Sequence, residues 1–243
     1  MSVDQAVRLP AYQVLADELR TEIISGRLCP GQRLPTEPQL CAHSGLSRST
    51  VREALRLLAS QHLIVTTRGV TGGSFVARPS AAQLADSLTL GMDMLLSSGT
   101  IVTPHVLEAR GLIEVPAAAM AAERRTDEHL GAMRDALRSA QAPEVDTVVA
   151  AHNRFHTVLA AATGNPLLEL ITSPLYGLAH ERVAVAQATP DALREIREEH
   201  LAILRAVEDR DPAAAMQACR VHLVSLRPMY DSPAPGGPAP AAQ

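Results

Sequence analysis

Four histidines carry the chemistry that spacing alone can assign. His152 and His156 stand at i and i+4 of one helical stretch, so their side chains leave the same face. His200 falls in the register of Ile196 and Ile203, the inward face of its segment. His222 lies between Cys219 and Leu226, again on an apolar side. Imidazoles from three helices facing one interior could close around a divalent metal. The same positions also suit hydrogen-bonded core histidines, and spacing leaves both readings open. Arg110 and Glu114, one turn apart, read as a helical ion pair worth ~0.3–0.5 kcal/mol. Asn165, directly after Gly164, reads as a helix-start residue.

A second constellation is cationic. Arg48, Arg52 and Arg56 recur at i, i+4, i+8, beside an apolar stripe of Val51, Leu55 and Leu58 at i, i+4, i+7. Ser47 is placed to cap that helix, which should run from Arg48 to about Gln61. A shorter helix precedes it, with Thr36 and Gln39 spaced as a capping box and Gly45 supplying a left-handed turn after Ser44. Helix, glycine turn and basic helix form a helix-turn-helix, whose second helix enters the DNA major groove N-terminus first. Hydroxyls of Ser47 and Thr50 at a helix N-terminus suit a phosphate, and arginine can pair bidentately with guanine. A solvated arginine face is the plainer alternative for such a stripe.

These residues need elements to hold them, and the composition says which kind. Of 243 residues 47% are hydrophobic but only 2% aromatic, with alanine and leucine dominant, which favours helices. All 22 basic residues are arginine, so lysine chemistry of the P-loop, Schiff-base or general-base type is excluded. The nine arginines and six acids of residues 1–78 give a net of +3, against −7 for the remainder. The small basic excess therefore sits on the candidate DNA reader. Cys29, Cys41 and Cys219 are scattered and show no CxxC spacing, as a reduced cytoplasm would allow. No apolar run approaches the ~18 residues of a membrane span, and the expectation is a soluble, cytoplasmic protein.

In chain order, a first helix is expected over 11–25, then an extended link over 28–34 interrupted by Pro30-Gly31. The two helices above follow. A β-hairpin over 62–77 has a glycine-rich tip running from Arg68 and Gly69 to Gly73, which by its residues alone could be an ordinary turn. Residues 1–78 read as one domain, 79–85 as a linker and 86–231 as a second, all-helical domain. The Pro/Gly/Ala-rich tail 232–243 is expected to be disordered. Helices of the second domain are placed at about 82–97, 104–124, 127–140, 144–163, 166–187, 190–209 and 212–229. Thr103-Pro104, Thr189-Pro190 and Asp211-Pro212 each offer a cap followed by proline. Pro116 and Pro174 should kink or divide their helices.

The wording of both halves is familiar. PGQRLPTEPQL, SGLSRSTVREALRLLASQHLI and RGVTGGSFV, spanning roughly residues 10–78, closely resemble the winged helix-turn-helix of the GntR family of bacterial transcription regulators. VLEARGLIEVPAAAMAAERRT, RFHTVLAAATGNPLL, EEHLAILRAVEDRD and ACRVHL resemble the all-helical FCD effector domain of its FadR-type branch. The resemblance implies a mostly α protein, with DNA contacts from Ser47, Arg48, Thr50 and Arg52 and a wing approaching the minor groove. Many FCD domains hold a metal through an Asp, a His four residues later, and one His on each of two later helices. His156, His200 and His222 match the histidines, while His152 stands where the Asp would be. A four-nitrogen set leans toward Zn or Ni. The arginine matching Arg110 often meets a carboxylate ligand in such domains, and Asn165 is a second candidate for the effector pocket. Pro38 replaces a residue that is basic in many members, so a relative's operator sequence should not be borrowed.

The expectation is a ligand-responsive regulator, most simply a repressor. It would bind a palindromic operator as a homodimer and sense a small organic acid through the helical domain. A metal-dependent hydrolase is the enzymatic rival, weakened by the lack of HExxH or GxSxG. A constitutive DNA-binding dimer without an effector is the other.

Overall fold

The computed structural model describes residues 9–69, 72–78, 80–140, 145–179 and 189–231. The chain divides into two compact units, Met1–Ser80 and Ala81–Gln243.

The first unit begins with α1 (Ala11–Ile24), which turns Leu15, Ala16 and Leu19 inward and ends at Gly26 with φ +76°. Helix α2 (Glu37–Ser44) opens with Gln39 Oε1 accepting from the Thr36 N–H at 2.8 Å. It closes at Gly45, φ +71°, whose N–H reaches the Cys41 carbonyl at 2.9 Å. Helix α3 (Arg48–Ser60) is capped by Ser47 Oγ, which accepts from the Thr50 N–H at 3.2 Å. Val51, Ala54, Leu55 and Leu58 form its buried face. Strands β1 (Ile64–Thr67) and β2 (Gly73–Val76) pair antiparallel, with Ile64 opposite Val76 and Thr67 opposite Gly73. The segment read from sequence as an extended link belongs to this sheet. Arg33 bridges Phe75, the Leu34 N–H donates to the Ser74 carbonyl at 2.8 Å, and the Val76 N–H to the Gln32 carbonyl at 2.8 Å. A single isolated bridge with its flanking backbone hydrogen bonds therefore covers one edge of the two-stranded hairpin.

The second unit is helical throughout its described residues: α4 (Ala81–Ser97), α5 (Thr103–Arg124), α6 (Asp127–Ser139), α7 (Val145–Ala161), α8 (Pro166–Ala179), α9 (Pro190–Glu208), α10 (Pro212–Ser225) and α11 (Arg227–Asp231). Its core is built from Leu130, Met133 and Leu137 of α6, Phe155 and Leu159 of α7, Ile203 and Val207 of α9, and Cys219 of α10. No described helix is long and apolar enough to cross a membrane.

Several expectations are corrected. Residues 81–85, read as linker, form the start of α4. Neither Pro116 nor Pro174 divides its helix, since α5 and α8 each continue through the proline. At Pro116 the helix is exposed, as is Leu112, whose carbonyl loses its donor, so water can satisfy that carbonyl. The stretch 212–229 is two helices separated at Leu226, because Pro228 has no N–H to continue α10 and is accommodated at the start of a new one. Thr189 and Asp211 cap as expected, accepting from Ala192 and Ala214 N–H groups at 3.1 and 2.9 Å. Thr103 does not cap: it lies inside α5 and donates its hydroxyl to the Tyr230 carbonyl at 2.6 Å. The tail 232–243 and the end of the helix expected over 166–187 fall outside the described residues.

Candidate metal centre and DNA-reading face

In the second unit the fold brings the four histidines together. Helix α7 supplies His152 and His156, α9 supplies His200, and α10 supplies His222. One nitrogen from each lies within 4.8 Å of all the others. His156, His200 and His222 are at most 2% exposed, while His152 is half-buried and stands at the accessible side. The Nε2 of His156 lies 3.1 Å from the Nε2 of His200 and 3.1 Å from that of His222. Phe155 stacks on the His200 ring at 4.4 Å between centroids and 15° between planes, which fixes its orientation.

Two carboxylates set the chemistry of these rings. Glu114 Oε2 is 2.8 Å from His156 Nδ1, and Glu199 Oε2 is 2.8 Å from His222 Nδ1. The hydrogen bond to Glu199 places the His222 ring proton on Nδ1 and leaves its Nε2 lone pair free, whereas His156 Nδ1 lies within 2.8 Å of Glu114 but is not aligned for a hydrogen bond. At 3.1 Å the His156 and His222 Nε2 atoms can share either a proton or a cation. Burial pushes the His156 pKa down to about 4 despite the nearby Glu114, and lowers His222 despite Glu199. Burial and the three neighbouring histidines hold His200 well below its ordinary value. The rings are therefore neutral near pH 7, the form that ligates. Nitrogens on a tetrahedral ion at ~2.1 Å would be about 3.4 Å apart, close to the observed spacing. The residues present fit a divalent metal.

Behind His156 the polar chain continues. Arg110 Nε donates to Glu114 Oε1 at 2.5 Å, its Nη2 to Oε2 at 3.3 Å, and its Nη1 to the Tyr230 hydroxyl at 2.7 Å. The guanidinium carbon also lies 5.3 Å from the Tyr176 ring centroid. Burial alone would raise the Glu114 carboxyl. Arg110, then His156, outweigh it and hold the pKa at about 2. Arg110, expected to meet an effector carboxylate, is instead fully buried and engaged by Glu114 and Tyr230. Asn165 acts as a cap, its Oδ1 accepting from the Leu167 N–H at 3.1 Å. Glu199, Ser225, Tyr176 and Tyr230 were not legible as site residues. Glu199 adjoins His200 in sequence yet serves His222, and Tyr230 is 120 residues from its partner Arg110.

In the first unit Arg48, Arg52 and Arg56 are all exposed on α3. Arg52 Nε lies 2.9 and 3.1 Å from the two oxygens of Glu37, across the helix-turn-helix. Ser47 Oγ lies 2.8 Å from Thr50 Oγ1 at the helix start. Arg68 and Gly69 are exposed beyond β1, and Gly73 opens β2, where an added Cβ would meet the Arg33 guanidinium at 2.8 Å.

The model for bacterial regulatory proteins of the gntR family matches residues 11–76, and that of the FCD domain matches residues 105–225. The HTH-type transcriptional repressor NanR of Cronobacter sakazakii is 31% identical over 224 residues, covering 88% of this chain and 83% of the relative. The chain belongs to the GntR family. NanR of Klebsiella aerogenes is also 31% identical, over 219 residues with the same coverage. In fold, the GntR-family chain resembles the Streptococcus agalactiae GntR structure with a TM-score of 0.62, at 23% identity and covering 89% of this chain and 99% of that one. It is a DNA-binding transcription regulator of the FadR-type branch, a family of regulators and not of enzymes.

Proposed function

We propose that this GntR-family regulator is a metal-dependent sensor of a small carboxylate and represses its target genes as a homodimer on a palindromic operator. The observation that carries the sensor reading is the convergence of four imidazole nitrogens within 4.8 Å of one another, with the Nε2 atoms of His156 and His222 at 3.1 Å in a buried site. His152, His156, His200 and His222 would hold the ion, and their four nitrogens favour Zn or Ni. When bound, the metal supplies a positive centre to which a carboxylate oxygen can attach. The imidazole of His152 carries no negative charge toward an incoming anion, where a carboxylate would. The half-buried His152 marks the side from which the effector enters.

On the DNA side, Ser47, Arg48, Thr50 and Arg52 would read the major groove, with Arg68, Gly69 and Gly73 of the wing on the adjoining phosphates and minor groove. A two-fold operator mirrors a two-fold protein, which is why we infer a homodimer. Repression follows the role named for the NanR relatives. Effector binding would then change the placement of the two DNA readers and lower operator affinity.

The test is metal analysis of tag-free protein purified without chelators, combined with DNA binding to its own upstream region. About one metal per chain, lost in His200→Ala and His222→Ala, supports the sensor. Metal-free wild type that cannot be reloaded sinks it. DNA binding no tighter than to random sequence sinks the operator reading separately.

A further inference from the structure

Two of the three buried histidine rings, His156 and His222, each lie against a carboxylate from a helix that carries neither of them. Glu114 of α5 reaches His156 of α7, and Glu199 of α9 reaches His222 of α10. Each carboxylate is itself secured: Glu199 Oε2 accepts from Ser225 Oγ at 2.7 Å, and Glu114 lies in the fork of Arg110. Arg110 in turn donates to the hydroxyl of Tyr230, in the last described helix. The same tyrosine is also held by its backbone, the Thr103 hydroxyl donating to the Tyr230 carbonyl.

Arg110 is poorly placed to receive an effector. It has no exposed surface, three of its donor atoms are engaged, and the Tyr176 ring lies over its carbon. A buried Arg–Glu pair is not needed for stability, since apolar residues of similar volume commonly do as well. What this pair does achieve is orientation. Arg110 fixes the carboxylate plane so that Oε1 faces its own Nε and Oε2 faces His156 Nδ1.

We propose that Arg110 is a positioning residue of the metal centre, acting on His156 through Glu114 and held in place by the Tyr230 hydroxyl. Glu199 with Ser225 does the same for His222. This role rests on the metal reading above. A carboxylate on Nδ1–H fixes the tautomer and raises the basicity of Nε2, so loss of the outer partner weakens the metal bond while the ligand remains. The last helix thereby becomes part of the metal site, although it contributes no ligand.

The experiment measures Zn affinity of the full chain by competition with a chromophoric chelator, with the visible spectrum of the Co-substituted protein as a second readout. Three variants are compared with wild type: Tyr230→Phe, Glu199→Gln, and the double variant Arg110→Met/Glu114→Gln. The double variant removes both buried charges together, so the fold is not left with an unpaired ion. Circular dichroism of each metal-free protein checks that it is folded. The double variant and Glu199→Gln should each bind Zn about 10–100-fold more weakly, with an altered Co spectrum. Tyr230→Phe should show a smaller loss in the same direction. Wild-type affinity and spectrum in the folded double variant would overturn the role of Arg110 while leaving the metal reading intact. Absence of metal binding by wild type would overturn the metal reading, and this role with it.

Discussion

Glu37, in the first turn of the short helix α2, holds Arg52 of the basic helix α3 with both carboxylate oxygens within 3.1 Å of Nε. The pair is largely exposed, so its contribution to stability is small, ~0–1 kcal/mol. Its consequence is geometric, because the contact uses the Nε edge of the fork. Glu37→Ala should leave thermal stability nearly unchanged, raise affinity for random DNA through loss of a negative charge, and narrow the ratio between operator and random DNA. Fluorescence anisotropy at two salt concentrations checks it, and an unchanged ratio would count against a positioning role for Glu37.

Arg52→Ala should behave differently. Loss of a base-reading arginine costs about 1–3 kcal/mol of discrimination at one position. Affinity for random DNA should fall only slightly, with the salt slope reduced by no more than about one ion. Equal losses on operator and random DNA would make Arg52 a phosphate contact.

Leu58 is fully buried where α3 packs in the first unit. Leu58→Ala should cost roughly 2–5 kcal/mol through lost burial and the cavity left behind. Two compact units need not unfold together. The effect should therefore appear as earlier melting of one transition in calorimetry, with DNA binding lost and metal content kept.

Arg110→Ala leaves Glu114 buried without its cation and should destabilise the second unit by about 3–5 kcal/mol. The paired replacement Arg110→Met/Glu114→Gln should recover most of that stability. Denaturant melts of the metal-free proteins read both, and equal destabilisation in single and double variants would contradict the argument.

Stripping the metal should lower the melting temperature of wild type, because an ion held by residues of three helices stabilises only the folded state. Differential scanning calorimetry before and after chelator treatment checks this. His156→Ala should be insensitive to the chelator.

Much of the first unit was legible because its signals are local. The Thr36–Gln39 box, the left-handed Gly45, the Ser47 cap and the Val51–Leu55–Leu58 stripe all act within one or two turns, where sequence spacing is spatial distance. The same holds for the i, i+4 placement of His152 and His156, and for the inward registers of His200 and His222. The sequence by itself therefore determined the helices, their buried faces and the residue types offered to the interior. Only the tertiary structure decided who meets whom. Arg33 pairs with the edge of β2, Glu199 turns from its neighbour His200 to His222, and Tyr230 reaches back 120 residues to Arg110. Periodicity tells which face of a helix is buried, but not which helix will lie against it. Spacing alone made Arg110 and Glu114 a helical ion pair, and the effector role for Arg110 came from the family resemblance. The fold buries that pair between helices and sets Glu114 Oε2 2.8 Å from His156 Nδ1.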